Sequence, residues 1–75
     1  MLTPHAVTSD NQLYIGKITI GEEVMIGAKS TLMPGVTIGK GAMVNAMSLV
    51  TMNTVIPEYE IWGGIPARKL GSIQQ

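Results

Sequence analysis

From Tyr14 onward every sixth residue is large and apolar: Tyr14, Ile20, Ile26, Leu32, Ile38, Val44, Val50, Ile56 and Trp62. An amphipathic helix repeats its apolar positions every three to four residues and a half-buried strand every second one, so a sustained period of six fits neither. Six residues hold one short extended segment and one bend. A chain built from such units coils into a β-solenoid, each turn packing on the one before.

The other columns of the repeat are selective too. The position after each apolar residue reads Ile15, Gly21, Gly27, Met33, Gly39, Asn45, Thr51, Pro57 and Gly63. That column is rich in residues suited to positive φ or a tight bend, and the bends are expected there. Four residues after each apolar position come Ile18, Val24, Ser30, Val36, Ala42, Ser48, Thr54, Glu60 and Pro66. These are mostly small or β-branched and suit short extended segments. With three hexads to a triangular coil, residues 14–61 make eight hexads, a little under three coils. At the spacing of neighbouring strands the stack is about 13 Å tall, with the Tyr14-to-Trp62 column as its interior and unpaired strand edges at its ends. Segment 1–13, with Thr8, Ser9, Asp10, Asn11 and Gln12 in a row, reads as a polar loop. Residues 14–64 form the solenoid, and 65–75, containing Pro66 and Gly71, a departing tail.

A chain of 75 residues is one domain, and folding one this small buries only about 60% of its unfolded surface. There is no cysteine for disulfides and one histidine, too few for a zinc cage, which leaves oligomerisation as the supplementary source of stability. Five basic residues balance five acidic ones, which argues against nucleic acid or an acidic membrane as partner. The apolar runs fall short of the roughly 20 residues of a membrane-spanning helix. No basic-then-apolar leader opens the sequence, and the expected location is cytoplasmic.

Several segments resemble the hexapeptide-repeat acyltransferases: Ile26-Gly27-Ala28, Leu32-Met33-Pro34-Gly35-Val36-Thr37-Ile38-Gly39, Ser48-Leu49-Val50-Thr51, and the closing Gly64-Ile65-Pro66-Ala67-Arg68. By motif the galactoside and maltose acetyltransferase branch is the nearest comparison. The resemblance implies an all-β fold, a left-handed parallel β-helix, and that handedness comes from the family, since ordinary parallel crossovers are right-handed. It also implies a homotrimer with acetyl-CoA, as co-substrate, in the cleft between two chains. Carried over by position, Ala28 and Ala46 are small turn residues that let backbone approach the pantetheine. Thr51 lies near the nucleotide end, and Arg68 meets a CoA phosphate through its guanidinium. Met52 and Gly71 stand where that branch carries basic residues, a loss that Lys69 offsets in part. Met47 replaces a glycine of the family's Gly-Ala-Gly-Ser and narrows the channel.

Acyl transfer from a thioester to a hydroxyl or amine needs a base for the acceptor's proton. His5 is the sole histidine, and an imidazole pKa of about 6.5 suits that task. Direct transfer, with His5 as catalytic base, is the mechanism the resemblance implies, a sugar hydroxyl being the first-ranked acceptor. Asp10, Glu22 and Glu23 read as solvated carboxylates, and Trp62 as a core or end-capping residue in preference to an adenine platform. Met25, Met33, Met43, Met47 and Met52 lie outside the inward column, where some can line a subunit interface. The alternative to an enzyme is a non-catalytic module that trimerises and at most binds CoA. A γ-class carbonic anhydrase, which shares the resembling fold, needs three histidines for its metal, and an ice-binding solenoid needs a regular threonine ladder. Neither pattern is met, and no metal site is expected.

Overall fold

The computed structural model describes the backbone of residues 5–7 and 13–73 and the side chains of 17–73. Two antiparallel strands, β1 (His5–Val7) and β2 (Leu13–Lys17), form a hairpin. Eight short strands then follow at six-residue intervals: β3 (Thr19–Ile20), β4 (Met25–Ile26), β5 (Thr31–Leu32), β6 (Thr37–Ile38), β7 (Met43–Val44), β8 (Leu49–Val50), β9 (Val55–Ile56) and the longer β10 (Glu60–Gly64). The last strand is β11 (Ala67–Ser72).

Parallel pairing joins strands three hexads apart. One sheet runs β3-β6-β9, a second β5-β8, and a third β4-β7-β10 with β11 added at its edge. Ile20 stacks on Ile38 and Ile38 on Ile56, each step being 18 residues. Eighteen residues therefore close one three-sided coil. Amides bond to the carbonyls of the next coil: Gly27 N–H to Val44 O at 2.7 Å, Thr31 N–H to Ser48 O at 2.8 Å.

Two columns point inward, where one was expected. Ile38, Val44, Val50 and Ile56 are buried, but so are Ile18, Val36, Ala42 and Ser48, four residues after Tyr14, Leu32, Ile38 and Val44, while Val24 and Ser30 of the same column are half-buried. The second column lies at the corners of the triangle, where space is short, and this explains its small and β-branched side chains. Burying each Ile or Val contributes about 1.5–3 kcal/mol.

The bends fall elsewhere than expected. Within the coils positive φ occurs at Glu23, Lys29, Gly35, Gly41, Met47, Asn53 and Tyr59, three residues after each apolar position from Ile20 to Ile56 instead of one. The glycines in the expected column answer a different need, close approach: a Cβ on Gly27 would fall on the amide nitrogen of Ala46 in the next coil.

Both ends of the repeat also depart from the reading of a plain loop and a plain tail. Tyr14 lies in β2, which pairs with β1, so the stacked sheets begin at β3. Ala67–Ser72 turns back as β11, antiparallel to β10, after the cis Ile65–Pro66 bond. It runs across the top of its sheet until Ile73 N–H meets Tyr59 O at 2.7 Å. That end is sealed, with Val50 and Ile56 at 0% exposure, whereas in the first coil Ile26 is 39% exposed and Ile20, Val24 and Leu32 are half-buried.

Candidate functional site

Three edges separate the three faces of the prism, and the candidate residues divide among them. Ala28 sits in the turn between β4 and β5 and Ala46 one coil above, between β7 and β8, with Met47 N–H donating to Ala28 O at 2.9 Å. Both alanines are exposed, and each is followed in its turn by a longer exposed side chain, Lys29 and Met47. At the third level the chain reaches Gly63 and Gly64 and leaves the coil. Arg68, exposed, pairs in register with Gly63, and a Cβ on Gly63 would touch the side chains of Asn45 and Leu70. Ala28, Ala46 and Arg68 thus share one edge. Beside it stand exposed apolar side chains, Met47 (64%), Ile65 (74%) and Leu70 (59%).

Thr51 belongs to the next edge, across strand β8. Its hydroxyl lies 3.1 Å from that of Thr54 within the same turn. Toward the other end of this edge, Lys17 O accepts from Gly35 N–H at 3.0 Å, and the backbone of His5 is in register with Lys17. The His5 side chain, with any role in proton transfer, lies outside the described residues, as does Asp10.

Lys69 is turned away from Arg68, because successive side chains project to opposite sides of a strand. Its Nζ lies 3.2 Å from Glu60 Oε2, while Glu60 Oε1 accepts from the Trp62 indole N–H at 3.0 Å. The Glu60 carboxyl is held below its ordinary pKa by the indole hydrogen bond first and by Lys69 second, both of which favour its charged form against a partial desolvation. Trp62 packs against the core beneath this pair, at the top of the Ile26–Val44–Trp62 stack.

One polar group absent from the expected set stands at the Ala46 edge. Ser48, 3% exposed, donates its hydroxyl to Asn45 O at 2.7 Å and accepts from Gly64 N–H at 3.2 Å. Ser30, 18 residues earlier, also donates to Asn45 O, at 2.9 Å. The repeated hydroxyl in an otherwise apolar corner column is the sequence signal for it.

Among the described residues no three His, Cys, Asp or Glu side chains gather closely enough to hold a metal ion. Nor is there among them a helix long and apolar enough to cross a membrane. The Ala28–Ala46 edge thus offers two small exposed side chains, the exposed apolar Met47, Ile65 and Leu70 beside them, and the cationic groups of Lys29 and Arg68.

Comparison with known proteins agrees with the coil. Residues 17–51 match the bacterial transferase hexapeptide (six repeats) family. YvoF of Bacillus subtilis, which bears an acetyltransferase name, is 52% identical over 54 residues, 72% of this chain and 30% of its own length. Gamma carbonic anhydrase 2 of Arabidopsis thaliana is 44% identical over 62 residues, covering 83% of this chain and 22% of that protein. A crystal structure of a variant of AntD, an N-acyltransferase from Bacillus cereus in complex with dTDP-4-amino-4,6-dideoxyglucose and coenzyme A, superposes with a TM-score of 0.75. It is 34% identical and matches 85% of this chain and 33% of its own. The shared architecture is a left-handed parallel β-helix. The chain spans a third or less of each of these three proteins.

Proposed function

Because the chain belongs to the hexapeptide-repeat transferase family, we propose that it forms the coenzyme-gripping part of an acetyl-CoA-dependent acyltransferase whose site is shared by two subunits of a trimer. The observation that carries this reading is the split of the candidate residues. Ala28, Ala46 and Arg68 share one edge, while Thr51 and the His5 backbone belong to another. A single prism cannot fold its own edges together, so a site using both sets needs the edge of one chain set against that of a neighbour.

A surface for that neighbour is available. Met25, Met43 and Ile61 stack in register as the outward ladder of the β4-β7-β10 face. The β3-β6-β9 face presents Thr19, Thr37 and Val55 instead. An outward apolar ladder on a small chain is a natural surface for burial against a second copy. Flexible methionines suit it.

In the proposed reaction the acceptor's oxygen or nitrogen attacks the thioester carbonyl, its new bond forming as the carbon–sulfur bond breaks. The leaving sulfur takes up the proton that the acceptor loses to His5. Arg68 binds phosphate, and the alanine edge holds the arm along the coils. AntD, solved with an amino sugar and coenzyme A, supports an acyl-CoA donor and a sugar-borne acceptor. The relation to a carbonic anhydrase shows why the coil alone cannot carry the chemistry.

The test is calorimetric titration of acetyl-CoA, followed by a thioester-consumption assay against sugars, amino sugars and amines. Binding with turnover, and a fall in kcat of about 10²- to 10⁴-fold in His5→Ala, is the expected result. Binding without turnover supports the non-catalytic module, and no binding at millimolar coenzyme ends the reading. Sedimentation should give a trimer that Met43→Glu dissociates; a folded wild-type monomer at micromolar concentration removes the shared site.

A further inference from the structure

The chain leaves the solenoid at Gly64, and its departure is tied to a side chain in the coil below. Gly64 has φ +104, a conformation open to glycine, and its amide donates to Ser48 Oγ at 3.2 Å. The single hydroxyl proton of Ser48 is already committed to Asn45 O at 2.7 Å, so toward Gly64 the oxygen acts as acceptor. Ser30 Oγ lies 3.5 Å from the Ser48 amide and donates to the same Asn45 carbonyl. Three consecutive levels of one edge, at Ser30, Asn45–Ser48 and Gly64, are thereby joined through hydroxyls.

What this hydrogen bond holds is the start of β11. Gly64 pairs with Ala67 and Gly63 with Arg68, and Ala67 is 4% exposed. The height and direction at which Arg68 stands over the Ala46 edge therefore follow from where Gly64 is pinned. We propose that Ser48 is a positioning residue for phosphate binding, acting through Arg68 without touching the ligand; this rests on the coenzyme reading above. Two facts set Ser48 apart from a mere filler of the corner. Its counterpart one coil earlier in the repeat, Ser30, has no departing strand to hold. At the neighbouring edge the same place in the repeat is filled by Ala42, fully buried without a hydroxyl, so this position of the hexad does not in itself require one.

The experiment compares wild type, Ser48→Ala, Ser48→Thr, Arg68→Ala and the Ser48→Ala/Arg68→Ala double variant, using CoA and pantetheine as separate probes. Threonine is a fair conservative replacement because Thr54 occupies the next position of the same column. Ser48→Ala should weaken CoA about tenfold, the scale of a lost charge-assisted hydrogen bond, and pantetheine less than about twofold. Ser48→Thr should restore the contrast, and the double variant should bind CoA no worse than Arg68→Ala alone. Hydrogen exchange at the Gly64 amide should quicken in Ser48→Ala and recover in Ser48→Thr. Equal weakening of both probes, or none, in a variant that still folds overturns the role of Ser48 while the coenzyme reading stands. A wild-type chain that binds neither probe overturns the coenzyme reading and this role with it. Unchanged exchange at Gly64 overturns the latch whatever the ligands do.

Discussion

Glu60 Oε2 lies 3.2 Å from Lys69 Nζ, across the antiparallel pair formed by β10 and β11. Glu60 occupies the last inward position of the corner column before the chain turns back, so a charged group ends a row of apolar and hydroxyl ones. Its two oxygens are divided between the indole and the ammonium.

That arrangement predicts an acid-sensitive contribution to stability. The folded-state pKa of Glu60 is depressed, so its contribution is present above the unfolded carboxylate pKa and is lost as pH falls through the folded one. Glu60→Gln keeps an acceptor for Trp62 but removes the charge facing Lys69. Thermal unfolding should find wild type more stable than Glu60→Gln at pH 7. The difference should close below the ordinary carboxylate range; a constant difference at all pH values would contradict the ion pair's part in it.

The same pair separates two basic neighbours that the sequence alone treats alike. Arg68→Met should weaken CoA binding by roughly tenfold or more, as expected for a lost phosphate contact. Lys69→Met should cost about twofold or less while Glu60 holds the ammonium. In a Glu60→Gln background the cost of Lys69→Met should rise. Equal effects of Arg68→Met and Lys69→Met in the wild-type background would restore Lys69 as a coenzyme contact in its own right.

Backbone strain at the turns gives opposite expectations for two positions. Met47 adopts φ +60, a left-handed conformation that costs a residue with a Cβ about 1 kcal/mol. Met47→Gly should therefore raise stability by up to that amount, read as a rise in Tm. Gly41, at φ +71, lies under the ring of Tyr59, and a Cβ there would run into it. Gly41→Ala should lose about 1–3 kcal/mol, the usual cost of overpacking.

Truncation in the interior should report the difference between the two ends. Ile56, at 0% exposure, should lose about 2–5 kcal/mol on mutation to alanine. Ile26, in the same column but 39% exposed, should lose about 1 kcal/mol or less, since it has less surface to return to water. Chemical denaturation of both variants measures the contrast.

Much of the coil can be read directly from residues. Ile20, Ile38 and Ile56 recur at multiples of six and stack at eighteen, because an inward side chain must meet its equivalent one coil on. The candidate edge was legible through Ala28 and Ala46 for the same reason. Ser48 was not: serine in a column of small residues signals a tight corner, and only its neighbours reveal that its oxygen receives Gly64. The bends do not lie where the glycines suggest, because Gly27 looks like a turn residue, whereas the backbone of Ala46 is what excludes a side chain there.

By itself the sequence determines the period, and with it the stacking of like on like, since side chains that recur at the same place in every hexad are shielded together only when each coil sets them over their equivalents in the last. Tertiary structure decides what happens where the repeat stops: that Ala67–Ser72 returns along β10, that Lys69 faces Glu60 while Arg68 faces outward, and that Ser48 sets the point of departure. Those outcomes depend on contacts between residues distant in the repeat's count, made once each, and a contact made once leaves no periodic trace.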